Sequence, residues 1–414
     1  EKTIQWIKTH KTQFKPVVDP PPGKDSSIVL DLSVESPLVN GIANKNDAAD
    51  VSRAIFGQMH QKDAVIGIGC YDEARAIYIS DAYREQRDQM PEMRTIHMGI
   101  DLHMAPGSRI QAFYDGKVQS FNNNATRYDY GPTIILSHVT EDGFTFYTLY
   151  GHLSLASLEN LSIGQMIACG EKFAEIGDSH VNGGWPPHLH FQIIMDMLGE
   201  TGNYMGVAPP SQRLVWKALS PDPNLILGIP DSLFPERGRS RREILKYRNE
   251  QIGKKYSISY HVPLKIVRGR GQHLIDQNGQ AYLDGVNNVT HVGHCHPEVV
   301  AAGQRQMGIL NTNTRYLHDH IITYSQKLLS KFPAPLSVCF FVCTGSEANE
   351  LAFRLARNYT GKKDVITVAG AYHGNTNLLV DISPYKHDGP GGRGAPSWVQ
   401  TVEMPDGYRG PFKG

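Results

Sequence analysis

Net charge is what this sequence most plainly lacks. Lys and Arg together number 41, and so do Asp and Glu. A balanced chain offers no polybasic stripe for nucleic acid or for an anionic membrane surface. No apolar run reaches the roughly 18 residues of a membrane span, so no membrane partner is expected. The opening residues, EKTIQWIKTH, hold no apolar h-region and read as no signal peptide. No initiator Met precedes them, and a longer parent is expected. Cysteine is scarce. Cys70, Cys169, Cys295, Cys339 and Cys343 are odd in number, and their spacing fits neither a disulfide framework nor a zinc knuckle. They read as small buried apolar residues in a reducing, cytoplasmic setting.

What the chain has in quantity is turn formers, 40 Gly and 25 Pro, over 414 residues, enough for two or more domains. Residues 1–50 read as a poorly defined N-terminal segment and linker, with a Pro-rich spacer, PVVDPPPGKDSS, and a short strand at 28–34. Residues 51–228 read as β, with helical periodicity nearly absent. TIILSHV and FTFYTLY flank a Gly-containing turn, which is a hairpin signal. GKVQSF and FQIIMDM add strands. A stretch rich in Pro and Arg follows, and 229–243 reads as a linker. From 244 to 414 helix and strand alternate, including a buried strand at LSVCFFVC, which argues an α/β layer with a largely parallel sheet.

Three His-x-His pairs occur, where about one is expected by chance. His188 and His190 follow a Gly- and Pro-rich turn within an apolar run. On a strand, side chains at i and i+2 share a face, so this pair supplies two imidazoles to one side. Upstream, HMGIDLHMAPGSRIQAFYDGKV holds His97 and Asp101, four apart and on one side if the backbone is extended; LYGHLS holds His152. Two imidazoles and a carboxylate complete a tetrahedral zinc with one place left for water, and zinc lowers that water's pKa toward about 7. A remaining His can then serve as general base.

These motifs resemble the lysostaphin-type zinc metallopeptidases, in the order His-x-Gly-x-Asp, Tyr-x-His-Leu and His-x-His. The resemblance covers about 130 residues. It implies that His97, Asp101 and His190 are zinc ligands, with His152 and His188 flanking the water as catalytic groups. Trp185–Pro186–Pro187 stands where the family has small polar residues, at the border of the cleft.

The stretch SVCFFVCTGSEANELAFRLARNYTG reads as strand, tight turn and helix, with Thr344 and Glu347 spaced for a capping box. A turn of this kind leaves N–H groups at the positive helix end, a natural phosphate site. Gly345 allows close approach and Ser346 adds a hydroxyl. With YLDGVNNVTHVGHCHPEVV before it and AYHGNT after it, the region resembles the class III pyridoxal-phosphate-dependent aminotransferases, closest to the branch with the ethanolamine-phosphate phospho-lyases. The resemblance implies that Gly345 and Ser346 hold the cofactor phosphate and Tyr372 stacks on its ring. His294 and His296 belong to a Gly-His-x-His-Pro loop, with a loop-ordering role expected. The family's Schiff-base Lys lies well past the Tyr-His-Gly motif; Lys386 and Lys413 fit no family motif, so this chain is expected to complete no turnover.

The expected fold class is multidomain: antiparallel β of the lysostaphin-type peptidase fold, then an incomplete α/β domain of fold type I. The expected function is a pyridoxal-phosphate aminotransferase or phospho-lyase acting on a small amine or phosphoamine, fused to a zinc metallopeptidase-like domain with a possible peptide substrate. The alternatives are a zinc peptidase as the main activity, or a β domain that only binds. A homo-oligomer is expected for the full-length protein.

Overall fold

The computed structural model describes residues 1–39, 48–75, 77–78, 83–85, 92–236, 238–253, 256 and 258–411. It divides into two compact units, Glu1–Ile309 and Leu310–Gly414. In the first, α1 (Lys2–Thr9), β1 (Ser27–Leu30), α2 (Ala48–Gln61), β2 (Ile66–Gly69), β3 (Glu73–Ala74), β4 (Arg84–Glu85), β5 (Glu92–Met93), β6 (Ile96–His97) and β7 (Ile100–His103) come first. Then follow β8 (Arg109–Gln111), β9 (Gly116–Asn124), β10 (Gly131–Val139), β11 (Thr145–Gly151), β12 (Met166–Ile167), β13 (Lys172–Glu175), β14 (His188–Ile194) and β15 (Val207–Ala208). The unit closes with α3 (Arg213–Leu219), α4 (Asn224–Leu227), α5 (Arg241–Gln251), β16 (Ile266–Arg270), β17 (His273–Asp276), β18 (Ala281–Leu283) and α6 (Pro297–Ile309).

An eight-stranded sheet forms the frame, in the order β1-β2-β7-β14-β11-β10-β9-β12. Only β1 and β2 pair in parallel; the other neighbours are antiparallel. β10 and β11 are the hairpin that the sequence predicts. β14 lies next to the sheet centre and every residue in it is buried. Its Leu189, Phe191 and Ile193 enter the main core, each contributing about 1.5–3 kcal/mol by burial. The opposite face of the same strand carries the histidines.

Two expectations are corrected here. Residues 1–39, within the stretch expected to be a poorly defined segment and linker, pack into the fold. Trp6 and Ile7 of α1 and Val17 and Val18 are buried in the main core, Trp6 sits edge-on to Tyr114 with centroids 5.4 Å apart, and β1 is an edge strand of the sheet. The 51–228 region, where helical periodicity is nearly absent, also opens within a 14-residue helix, α2 (Ala48–Gln61). Its apolar stripe, Val51, Ile55 and Met59, packs with Leu30 and Leu32 in a second small core. Three residues spaced by four make too narrow a stripe to stand out among β-rich neighbours.

The second unit contains α7 (Asp319–Leu329), α8 (Gly345–Thr360), β19 (Val365–Val368), α9 (Asn377–Asp381), α10 (Pro384–His387) and β20 (Val399–Val402). β19 and β20 pair in parallel, so the expected parallel layer is a two-stranded ladder. The buried strand expected at LSVCFFVC does not form: residues 336–343 are irregular, and Val338 and Phe340 are 76% and 64% exposed. No described strand offers this segment a ladder, and an apolar run becomes a buried strand only when its backbone groups are paired. Its small core is Leu379, Ile382 and Val399. Among the described residues, no helix is long and apolar enough to cross a membrane.

Candidate metal centre and cofactor turn

Asp101 and His190 face each other directly across the β7–β14 ladder, and His188 faces His103. Opposed residues share a sheet face, so this register places three imidazoles and one carboxylate side by side. His97 arrives differently. The expected continuous extended stretch from His97 to Asp101 is broken: His97 ends β6, the middle strand of a separate three-stranded sheet between β15 and β3, and Met98–Gly99 turn the chain into β7. Gly99 is needed for space, since a Cβ there would stand 2.5 Å from the His190 ring.

The proton positions follow from the acceptors. His97 Nδ1 donates to the Cys70 carbonyl at 2.9 Å, which leaves the Nε2 lone pair free. His190 Nε2 lies 3.0 Å from Gln192 Oε1. The Gln192 amide nitrogen is itself committed to the Met205 carbonyl and Ser220 Oγ, so its oxygen accepts and His190 Nδ1 is unprotonated. The bare His97 Nε2 and His190 Nδ1 stand 3.0 Å apart, and each is 3.1 Å from Asp101 Oδ1. Three lone-pair atoms at such distances repel one another unless a cation lies between them. Ligands about 2.0–2.1 Å from one tetrahedral zinc stand roughly 3.3 Å apart. The group fits that ion in donor type, spacing and tautomer, and it is the single His/Cys/Asp/Glu cluster of this kind among the described residues.

His152 and His188 complete the ring of imidazoles. His188 Nδ1 donates to the Pro186 carbonyl at 2.6 Å and His152 Nδ1 to the Asn182 carbonyl at 2.9 Å. Both therefore carry a free Nε2, and that of His188 is 3.7 Å from Asp101 Oδ1. Their rings are 4.2 Å apart. His152 adopts φ 64°, in the left-handed region. A non-glycine residue held there is sparsely populated and strained by about 1–3 kcal/mol, and the Tyr130 carbonyl fixes it by accepting its backbone N–H.

Burial governs the electrostatics. It lowers the His97 pKa to about 4, with Arg75 adding to the effect, and lowers those of His188 and His152. Burial works against the charged form of Asp101, but His97 and Arg75 prevail and hold its carboxyl well below the usual range. His97, Asp101, His152 and His188 thus sit in the protonation state a metal ion requires. Above them lies a cavity of about 410 Å³, walled by Tyr78, Tyr83, Tyr128, Tyr130, Trp185 and Tyr204 among others. Trp185, read from sequence as a cleft-border residue, packs against Tyr128 and Tyr78.

Sequence reasoning missed four contributors. His103 follows Asp101 by two and so shares its face, a signal that was available; it stacks on His188 with centroids 4.8 Å apart, and both its ring nitrogens are buried without a partner. Gln192, two residues past His190 on the same strand, carried the same signal; Arg75 and the Cys70 carbonyl gave none.

In the second unit, α8 begins with the predicted capping box. Thr344 Oγ1 accepts from Glu347 N at 3.1 Å, while Glu347 Oε2 accepts from Thr344 N and Cys343 N at 3.0 and 2.7 Å. This leaves the Gly345 and Ser346 N–H groups facing outward, and a Cβ on Gly345 would meet nothing within 4 Å. The loop bearing Tyr372 is tied to this turn. Asn349 Nδ2 donates to the His373 carbonyl at 2.7 Å, and Asn375 N donates to Ser346 Oγ at 3.2 Å, so the Ser346 hydroxyl proton is free for a phosphate. The loop that follows Tyr372 is therefore held against the Gly345–Ser346 turn. The turn and an exposed aromatic ring fit a phosphorylated pyridine cofactor. Lys386 Nζ lies 5.6 Å from the Tyr372 ring centroid, and Lys413 lies outside the described residues. In the first unit, His294 Nε2 contacts Asp284 Oδ2 at 2.7 Å, a loop-ordering bond.

Comparison with known proteins falls on the same two places. Residues 95–203 match Peptidase family M23, and residues 256–400 match Aminotransferase class-III. Each match covers less than half of the chain. Zinc is the metal of the M23 peptidases and pyridoxal phosphate the cofactor of the class-III aminotransferases. An alanine–glyoxylate aminotransferase 2-like protein of Drosophila melanogaster is 53% identical over 174 residues, 42% of this chain and 35% of the relative. Ethanolamine-phosphate phospho-lyase homolog 1 of Caenorhabditis elegans is 41% identical over 176 residues, 42% of this chain and 38% of the relative. A solved phospholyase from Arthrobacter, in complex with phosphoethanolamine, is 40% identical over 40% of this chain and 38% of its own, with a TM-score of 0.37. The chain spans little more than a third of the length of these curated relatives.

Proposed function

We propose that the protein unites a pyridoxal-phosphate-dependent aminotransferase or phospho-lyase, acting on a small amine or phosphoamine, with a zinc hydrolase domain. The domain scheme is a peptidase-like region at 51–228 and an aminotransferase-like region at 244–414. The 53% identity over 174 residues carries the first activity. The three unprotonated ligand atoms of His97, Asp101 and His190 carry the second.

Bound zinc would supply Lewis acidity and an activated water. The chain's own residues do the rest. His97 Nε2, Asp101 Oδ1 and His190 Nδ1 would hold the ion. The free Nε2 atoms of His152 and His188 receive a proton from the attacking water and return it to a leaving nitrogen. The Pro186 and Asn182 carbonyls keep each imidazole in the tautomer this needs. The aromatic walls exclude bulk water, which strengthens these interactions. In the second unit, the Gly345 and Ser346 N–H groups and the Ser346 hydroxyl would receive the cofactor phosphate, and Tyr372 would offer its ring face. Pyridoxal phosphate supplies the electron sink for chemistry at the amine carbon.

A second reading is favoured by the burial of all five zinc-site side chains and by the aromatic wall: a metal-holding module that hydrolyses nothing. His188→Ala separates the two. As a hydrolase, the protein keeps its zinc and loses cleavage of short Gly- and Ala-containing peptides. As a binding module, neither protein cleaves, although both hold one zinc.

A further inference from the structure

We propose that Arg75 is a positioning residue that limits Asp101 to a single metal-binding oxygen and so sets the coordination number of the zinc site. The proposal rests on the zinc reading above. Arg75 lies outside the M23-matching residues 95–203. Its side chain is buried and none of its directional contacts is to solvent-facing groups. Its NH1 group donates to Asp101 Oδ2 at 2.6 Å and to Tyr78 OH at 3.1 Å; its Nε donates to Glu73 Oε2 at 2.8 Å. The Asp101 oxygens are thereby divided. Oδ1 faces His97 and His190, and Oδ2 is held by the guanidinium.

The fold makes room for this pair. Gly69 on β2 stands opposite Asp101, and a Cβ there would lie 2.7 Å from Arg75 NH2 and 3.2 Å from Asp101 Oδ2. Arg75 also shares an anchor with a zinc ligand. Its NH2 lies 3.4 Å from the Cys70 carbonyl, the same oxygen that accepts from His97 Nδ1. One short segment, residues 70–75, thus orients two of the three ligands. A carboxylate coordinates a metal through one oxygen or two. With Oδ2 committed to a guanidinium, the second mode is closed, and the ion is left with two nitrogens, one oxygen and a water, which is the tetrahedral set.

The test loads the full chain with Co2+ in place of zinc, because four-coordinate Co2+ absorbs visible light more strongly than five-coordinate Co2+. The parent is expected to give an intense, four-coordinate spectrum at one ion per chain. Arg75→Met, similar in volume and uncharged, frees Oδ2; the spectrum should lose most of its intensity at unchanged metal content. Arg75→Lys restores one donor and should recover the intense spectrum, which a merely space-filling role would not require. A four-coordinate spectrum in Arg75→Met at full metal content overturns the proposal and leaves the zinc reading standing. If the parent takes up neither Co2+ nor zinc, the zinc reading falls first. Should Arg75→Met not fold, X-ray absorption on the zinc-loaded parent decides: a carboxylate bound through both oxygens overturns the proposal, and one bound through a single oxygen supports it.

Discussion

The two halves of this chain solve the problem of holding a charged group in opposite ways. The proposed metal centre of the first unit is finished within its own fold. Every ring nitrogen turned away from the centre on His97, His152, His188 and His190 has an acceptor; the ligands are all buried, Asp101 and His190 on the eight-stranded sheet and His97 on the three-stranded one. The proposed phosphate turn of the second unit is made from one helix end and one loop, beside apolar side chains that stand exposed. A metal ion needs several ligands placed to a few tenths of an ångström, which only cross-strand register supplies. A phosphate needs a few N–H groups pointing the same way, which one helix N-terminus supplies locally. The first kind of site should therefore fail through any single ligand, and the second should fade by degrees.

The largest expected effect tests that contrast directly. Asp101→Ala should lower zinc affinity by more than about a hundredfold, the upper end for outer-sphere partners, because it removes the one anionic ligand. Elemental analysis and chelator competition read this. Equal zinc in the variant and the parent would end the comparison.

Second comes the response of the first unit to acid. Burial lowers the pKa of His138, remote from the metal site, from 6.5 to about 4. The unfolded chain then binds a proton that the folded chain refuses between those values. Stability is fully present above pH 6.5 and falls as the pH drops toward 4, by roughly 3 kcal/mol for this group. Urea midpoints of metal-free protein at pH 7 and 4.5 measure the slope, and His138→Gln should flatten it. An unchanged slope in the variant would mean that His138 is protonated in the folded state.

Cofactor binding by the second unit should respond more gently. Ser346→Asp sets a carboxylate against the phosphate and is expected to weaken pyridoxal phosphate about tenfold, or 1.4 kcal/mol, with the loss shrinking at high salt. Titration by absorbance at two ionic strengths checks both parts. Smallest is the cap. Thr344→Ala removes the acceptor of the Glu347 N–H and should cost about 1 kcal/mol of helix stability, seen as faster hydrogen exchange confined to the first turn of α8.

The sequence made the local patterns legible. The i, i+2 spacing of His188 and His190 needs only a strand, and β14 is one. The capping box at Thr344–Glu347 and the end of α8 at Gly361, with φ 66°, follow from neighbours within one turn. Less legible were α2, whose stripe is narrow, and residues 336–343, whose apolar content predicts a strand that finds no partner. The packing of Trp6 against Tyr114 and Phe146 joins residues more than 100 positions apart, which no local pattern encodes.

By itself the sequence determined which residue types stand where: a His-x-x-x-Asp, a lone His and a His-x-His in a β-rich stretch, and a strand-like run before a capped helix. Those properties rest on neighbours along the chain, so they survive without the fold. Tertiary structure decided the rest. It put His97 and Asp101 on strands of different sheets, set the proton on Nδ1 of His97 and on Nε2 of His190, and gave Asp101 Oδ2 to Arg75. A proton goes to the nitrogen that faces an acceptor, and for these rings only the folded chain brings the acceptor within 3 Å.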